Sequence, residues 1–223
     1  MVYDFHTHTL LSDGSLSPME LIRRALARDY KAIALTDHTG IGYLDRIIRE
    51  LAADCALARA HWDILAIPGV ELTHIPPQAI AEAARHAKEL GAWLVVVHGE
   101  SIIEPVEKGT NIAALHCPSV DILAHPGLIT LEEAELAAAK GTFLEISARQ
   151  GHSLANSHIS QLARLAGAKL LLNSDAHDES DLLTPDLARK IAQGAGLKEE
   201  EIDEVLVTNA RALLKRLPIP QQG

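Results

Sequence analysis

The stretch Trp93-Leu94-Val95-Val96-Val97-His98-Gly99 decides the fold. Three valines in a row leave no polar face, so this segment reads as a strand covered on both sides, as in a parallel sheet. The strand stops on an imidazole. The same pattern recurs along the chain. Val2–Phe5 runs into His6 and His8, Ala32–Leu35 into His38, and Ile64–Val70 into Glu71. Ile122–Ala124 ends at His125, Leu170–Leu172 leads to Asp175 and His177, and Phe143–Ile146 carries Glu145. That makes seven apolar runs, and a residue of metal-ligand type lies at the end of six of them. In a barrel of parallel strands all strand C-termini open onto one face, which holds the site. Residues about 170 positions apart would then converge. Imidazole and carboxylate together suit zinc, manganese or iron.

Between the runs the spacing predicts helices. Ser17-Pro18-Met19-Glu20 reads as a helix start, with Ser17 as N-cap, Pro18 in the first turn and Glu20 closing a capping box. Leu44, Ile47, Ile48, Leu51 and Leu57 recur at helical spacing within Tyr43–Ala60. Further helices are predicted over Pro77–Leu90, Leu131–Lys140, Ser157–Ala166, Leu187–Gln193 and Glu199–Arg216. Two stretches, Gly99–Asn111 and Ala148–Asn156, lack periodicity and read as active-face loops. The alternation of strand and helix predicts an α/β fold, a distorted (β/α)7 TIM-like barrel formed by residues 1–223 as a single domain, with 218–223 a C-terminal tail. An open doubly wound sheet is the second choice, since it does not bring seven strand ends around one site.

The chain has 223 residues, enough for one such barrel, and is 48% apolar and 22% charged. Its net charge of −10 disfavours a surface made to hold nucleic-acid backbone, so no stable nucleic-acid binding is expected. A small phosphorylated substrate remains compatible, because bound divalent ions reverse the local sign. Two isolated cysteines, Cys55 and Cys117, fit a reduced compartment without disulfides. No apolar run reaches about 20 residues, so no membrane span is expected. No leader is expected before the strand at Val2, and the location read from this is cytoplasmic. The oligomeric state is not legible.

His6-Thr7-His8 is the strongest local signal, because residues i and i+2 of an extended chain share a face. Asn173-Ser174-Asp175-Ala176-His177 repeats that spacing. One strand-end histidine is commonly a structural residue. Six ligand-ended strands are hard to explain by packing, since buried ionisable groups are costly unless paired or coordinated. Arg149 and His152, in the loop after the sixth strand, are the candidate substrate-binding residues, Arg being suited to bidentate capture of phosphate. Lys108, Thr110 and Asn111 are weaker candidates. Glu145 either supports a ligand or meets a cationic substrate. His74 is a possible site-lining residue, whereas His61, His86, His116 and His158 read as surface or helix residues.

At this point the chain resembles the polymerase-and-histidinol-phosphatase (PHP) family. The resemblance rests on His6-Thr7-His8 with Ser12-Asp13-Gly14, Thr36-Asp37-His38, Pro68-Gly69-Val70-Glu71, Val97-His98-Gly99, His125-Pro126 and Ser174-Asp175-Ala176-His177. It spans residues 1–180 and implies a (β/α)7 barrel, two to three divalent metal ions (Zn, Mn or Fe) and phosphoester hydrolysis. By the same resemblance His6, His8, Glu71 and Asp175 hold a first metal, and Glu71 bridges to a second held by His98 and His125. Asp13, His38 and His177 hold a third, at a position where family members carry His or Asp in place of Asp13. Asp175, Glu71 and His177 are the implied catalytic residues. The expected activity is metal-dependent hydrolysis of a small phosphorylated metabolite, histidinol phosphate or a nucleotide-type compound. The alternatives are an amidohydrolase-like C–N hydrolase and a non-catalytic metal-binding regulatory module.

Overall fold

The computed structural model describes residues 1–219, so most of the tail expected at 218–223 lies outside the described residues. Seven strands follow the barrel path: β1 Val2–Asp4, β2 Tyr30–Leu35, β3 Leu65–Leu72, β4 Leu94–His98, β5 Ile122–Ala124, β6 Phe143–Ser147 and β7 Leu170–Asn173. Every ladder between neighbours is parallel. A two-residue extension, His38–Thr39, pairs with the end of β3 and sets His38 opposite Glu71.

Strand side chains alternate between two cores, as the pleat requires. Ala32, Ala34, Ile67, Leu94, Val96, Ile122, Ala124, Phe143 and Leu171 fill the barrel. Ile33, Leu35, Val70, Val95, Val97, Leu144 and Ile146 meet the surrounding helices instead. Glu71, His98 and Glu145 share the inward parity of Ile67, Val96 and Phe143. Two small alanines on β2 face two phenylalanines, Phe5 and Phe143, which fits a narrow seven-stranded interior.

The sheet closes at a seam between β1 and β7, which excludes the open doubly wound sheet. One parallel bridge, Thr7 with Ala176, joins the two chain segments above the strand ends. The His8 amide donates to Ala176 O at 2.8 Å and the Asp175 amide to His6 O at 2.9 Å. Lower down, side chains replace backbone partners. The Phe5 amide donates to Asn173 Oδ1 (2.9 Å) and the Ser174 amide to Asp4 Oδ1 (3.0 Å).

The helices are α1 Pro18–Ala27, α2 Leu44–His61, α3 Ile80–Glu89, α4 Thr110–His116, α5 Leu131–Lys140, α6 Asn156–Ala166, α7 Pro185–Gly194, α8 Glu199–Asp203 and α9 Ala210–Leu214. Two differ from the reading of the sequence. Ser17 caps α1 by accepting from the Glu20 amide, but Glu20 turns outward to Arg24, one turn on, rather than back to the cap. The helix expected over Glu199–Arg216 is interrupted by a π turn, Glu204–Asn209. There the buried Asn209 donates to Leu170 O at 3.0 Å. The extra residue re-aims the chain so that Ala210, Leu213 and Leu217 close the barrel floor. Among the described residues no helix is long and apolar enough to cross a membrane.

Candidate metal centre

The strand C-termini converge as the sequence requires. His6 and His8 lie past β1, His38 past β2, and Glu71 and His98 near the ends of β3 and β4. His125, Asp175 and His177 follow β5 and β7. Four groups present ligand atoms within 4.8 Å of one another: His6, His8 and Asp175; His6, Glu71 and His125; His8, Asp13, His38 and His177; and His98, His125 and His152. All nine candidate ligands thus enter one connected cluster.

Glu71 is fully buried at its middle. Its Oε2 lies 2.6 Å from His38 Nδ1 and 3.3 Å from His6 Nε2, while its Oε1 lies 3.6 Å from His125 Nε2. Asp175 Oδ1 lies 3.1 Å from His8 Nε2 and 3.6 Å from His177 Nδ1. Asp13 is half-exposed, with Oδ1 at 3.2 Å from His177 Nε2 and 3.7 Å from His38 Nε2.

Several rings are held from behind. His6 Nδ1 bonds to Glu145 Oε2 at 2.8 Å, and Asn173 Nδ2 donates to the same oxygen at 2.8 Å. Glu145 therefore supports a ligand from inside the barrel, one of the two roles open to it. His98 Nδ1 bonds to Gly99 O at 3.1 Å and His177 Nδ1 to Asp175 O at 2.9 Å. Such contacts orient an imidazole so that Nε2 faces an ion. From the sequence Asp37 is only the middle of the Thr36-Asp37-His38 motif, with no role of its own. Its carboxylate accepts from the Thr9 amide, Thr9 Oγ1 and Ser12 Oγ at 2.7–2.9 Å and so folds the loop that carries Asp13. Gly14 is required in that loop, since a Cβ there meets His8 O at 2.4 Å.

Two site residues are strained. His125 and Asp175 adopt φ of 29° and 54°, a region that disfavours side chains. Such strain persists only where surrounding contacts impose it, and it clusters at functional sites.

The charges are tightly linked. Burial alone pushes His6 down, but the Glu145, Glu71 and Asp175 carboxylates outweigh it and hold the ring well above its usual range. His98, also opposed by burial, is raised to about 9 by Glu71 and Glu104. Burial among other imidazoles drops His8 to about 3. Burial would raise Glu71 and Asp175, yet the surrounding rings keep both carboxyls well below the usual range.

The donor set fits metal ions. His6 Nε2, His8 Nδ1 and Nε2, Glu71 Oε1, His125 Nδ1 and Asp175 Oδ1 are buried and find no hydrogen-bond partner among the described residues. Orphaned buried polar atoms are costly in any interior, and nitrogen and oxygen lone pairs aimed at common points are what a divalent ion satisfies.

The predicted substrate residues part company. Arg149 is partly exposed, with Nη1 donating to Asp175 O at 3.3 Å and Nε 3.9 Å from Asp175 Oδ2. It borders a cavity of about 580 Å³ lined also by Gln150, Ser174, Ser180, Asp181, Leu187 and Ile191. His152 is buried and stacks on His125 at 4.0 Å between ring centres. Lys108 stays exposed, while Thr110 and Asn111 are buried, Thr110 donating to Glu107 O and Asn111 accepting from the Glu100 amide and donating to Pro126 O in the turn after β5. Glu104 was missed because nothing in the aperiodic loop marks it. Its Oε2 lies 2.9 Å from His98 Nε2 and its Oε1 3.4 Å from His152 Nε2. His74 is exposed at the rim, its ring 5.5 Å from that of His98. His61, His86 and His116 are exposed, and His158 bonds to Ile129 O.

Fold and site together define a class, the TIM-like barrels with a metal-binding face of the hydrolase type. Within that class the chain belongs to the PHP domain family, whose pattern matches residues 4–146. It is 45% identical over 218 residues to an uncharacterized protein of Methanocaldococcus jannaschii, a match covering 97% of this chain and all of that one. A protein of Thermoanaerobacter sp. described as a probable phosphatase is 27% identical over 242 residues, covering 96% of this chain and 95% of its own. Among solved structures, histidinol phosphate phosphatase from Lactococcus lactis, complexed with zinc, L-histidinol and phosphate, superposes with a TM-score of 0.64 at 17% identity. That superposition covers 88% of this chain and 94% of the other, and at this identity it speaks for the fold alone.

Proposed function

We propose that this protein is a metal-dependent phosphoesterase acting on a small phosphorylated metabolite in a reduced, cytoplasmic setting. The observation that carries the reading is the buried set of unpartnered ligand atoms on His6, His8, Glu71, His125 and Asp175 at the mouth of the barrel. The relative described as a probable phosphatase supports it.

His6, His8, Glu71 and Asp175 would hold a first ion, Glu71, His98 and His125 a second, and Asp13, His38 and His177 a third. Ions of zinc, manganese or iron type supply water activation and neutralise phosphoryl charge when bound. The chain's own residues do the rest. Glu71 would serve both the first and the second position, its Oε2 facing His6 Nε2 and its Oε1 facing His125 Nε2. Asp175 Oδ2, 3.8 Å from His125 Nε2 and 3.9 Å from Arg149 Nε, is placed to accept a hydrogen bond from the attacking water and orient it. His177 and Asp13 would hold an ion on the outer side of the cluster, where it would offer charge neutralisation to a phosphoryl or leaving oxygen. Arg149 grips a phosphoryl oxygen at the edge of the cluster, and the part of the substrate beyond the ester enters the 580 Å³ space beside it. Histidinol phosphate and nucleotide-type compounds are the candidate substrates. A C–N hydrolase of the amidohydrolase type gains no support from the fourth strand, which ends in His98 rather than in a lysine.

The test is phosphate release by manganese-loaded protein across histidinol phosphate, nucleotide monophosphates and nucleotide bisphosphates. A clear preference, abolished in His6→Ala, is the expected result. Silence across the panel with metal bound turns the reading towards C–N hydrolysis or a regulatory module.

A further inference from the structure

Resting on the metal-centre reading above, we infer that His152 and Glu104 complete the second metal position, so that this ion is held by Glu71, His98, His125 and His152 from the barrel side and by the Glu104 loop carboxylate from the solvent side. The sequence suggested a substrate-binding role for His152, in the company of Arg149. The geometry separates the two. Arg149 is one-third exposed and borders open space. His152 is 4% exposed, and its ligand atom lies within 4.8 Å of those of His98 and His125. A side chain meant to meet an incoming substrate does not need that burial, whereas a ligand does.

The orientation of the ring is the second observation. His152 Nδ1 is bonded to Ser101 Oγ at 2.7 Å, and Ser101 is itself buried. Nε2 is thereby turned into the cluster. His6 and His98, ligands on the first reading of the sequence, are held in the same way through Nδ1. A ring anchored at one nitrogen and offered at the other is what metal coordination selects.

Glu104 is the third. One carboxylate oxygen faces His98 Nε2 at 2.9 Å and the other faces His152 Nε2 at 3.4 Å, so the group straddles the two nitrogens. It arrives on the loop 99–109, between β4 and α4, with its side chain 37% exposed. The backbone on both sides is tethered. The Glu100 amide donates to Asn111 Oδ1 at 2.9 Å, and Glu100 Oε1 accepts from the Gly109 and Asn111 amides at 2.9 and 3.0 Å. A carboxylate on a tethered but exposed loop can occupy the open side of an ion and be displaced by a phosphoryl oxygen without unfolding the barrel. Together with Glu71 these residues would offer the ion three imidazoles and two carboxylates, a donor set that suits zinc, with the loop carboxylate as the exchangeable one.

The experiment is competition for Zn²⁺ between the protein and a chromophoric chelator, with wild type, His152→Ala, Glu104→Gln and His74→Ala, alongside KM for the best substrate. His152→Ala is expected to weaken one site at least 10-fold and leave the others unchanged. Glu104→Gln, on an exposed loop where folding is not at stake, is expected to weaken that same site by a smaller factor. His74→Ala, at the rim, keeps wild-type affinity. Unchanged zinc affinity in Glu104→Gln and in a folded His152→Ala, with KM raised in the latter, overturns the inference and returns His152 to substrate binding while leaving the proposed function standing. Failure of wild type to bind zinc or manganese at all overturns both.

Discussion

At the scale of single residues, the site stores charge that an ion must displace. His6 is held well above its usual range, and His98 titrates at about 9, so both rings carry protons at neutral pH when no ion is bound. Coordination needs the neutral ring, so binding releases protons. The affinity for zinc should therefore rise with pH from 6 through about 9. Titration calorimetry in buffers of different ionisation enthalpy should show proton release at pH 7, and a pH-independent affinity would contradict the charge state assigned to His98. Arg149 makes a separate claim. Its guanidinium touches the Asp175 carbonyl but belongs to none of the ligand groups. Arg149→Ala should raise KM about 10-fold or more, the scale of one lost charge-assisted contact, and leave metal content as it was. Unchanged kinetics would remove Arg149 from the site.

At the scale of elements, ligands are delivered by short turns whose geometry is demanding. After β5 the chain places His125 at φ 29° and Gly127 at φ 62° within three residues. A Cβ on Gly127 meets Glu100 O at 2.0 Å, so this turn and the loop after β4 are packed backbone to backbone. Gly127→Ala should cost at least about 2 kcal/mol, combining a disfavoured φ with that collision. Denaturant unfolding would show it, and a fall in zinc affinity should accompany it because both turns carry ligands. Three residues after Gly127, Thr130 caps α5, accepting from the Glu133 amide while Glu133 accepts from the Thr130 amide. Thr130→Ala should cost only about 1 kcal/mol and leave zinc affinity untouched. The contrast between the two substitutions separates turns that build the site from caps that build the scaffold.

At the scale of the whole molecule, the barrel is closed by few backbone bonds, and Asp4 substitutes for some of them. Its carboxyl is fully buried between β1, Tyr30 and Ser174, and burial raises it to about 6 against 3.8 for an exposed aspartate. A group raised in the folded state is penalised on ionisation there. The contribution of Asp4 to stability should thus fall as pH climbs from about 4 to about 6 and stay level above. Asparagine mimics the protonated form, with Oδ1 still able to accept from the Ser174 amide and Nδ2 able to face Tyr30 Oη. Asp4→Asn should match wild type at pH 4 and exceed it at pH 7 by on the order of 3 kcal/mol, the value of a shift of about two units. Thermal melts at both pH values would decide it. A constant difference would mean that closure does not depend on the charge of Asp4.

The line of chemistry was largely legible in the chain itself. Apolar runs covered on both faces can only be strands of a parallel barrel or sheet, and the ladders follow β1 to β7 as that reading requires. Imidazoles and carboxylates at strand ends are costly unless they meet, so His6, His8, His38, Glu71, His98, His125, Asp175 and His177 could be named from position alone. Local rules also reached the helix starts at Ser17 and Leu131, because caps act within four residues. Tertiary structure alone decided the rest, because those contacts join residues with no relation along the chain. Asn209 meets Leu170 across 39 positions and breaks a helix that local periodicity made continuous. Ser101 reaches His152 across 51 positions and turns its ring into the cluster. Glu104 lies in a loop with no periodic pattern, and only the folded path of that loop brings its carboxylate to His98. Periodicity encodes which face of a strand or helix is buried. Which loop side chains then meet above the barrel depends on where the closed sheet places the ends of its strands.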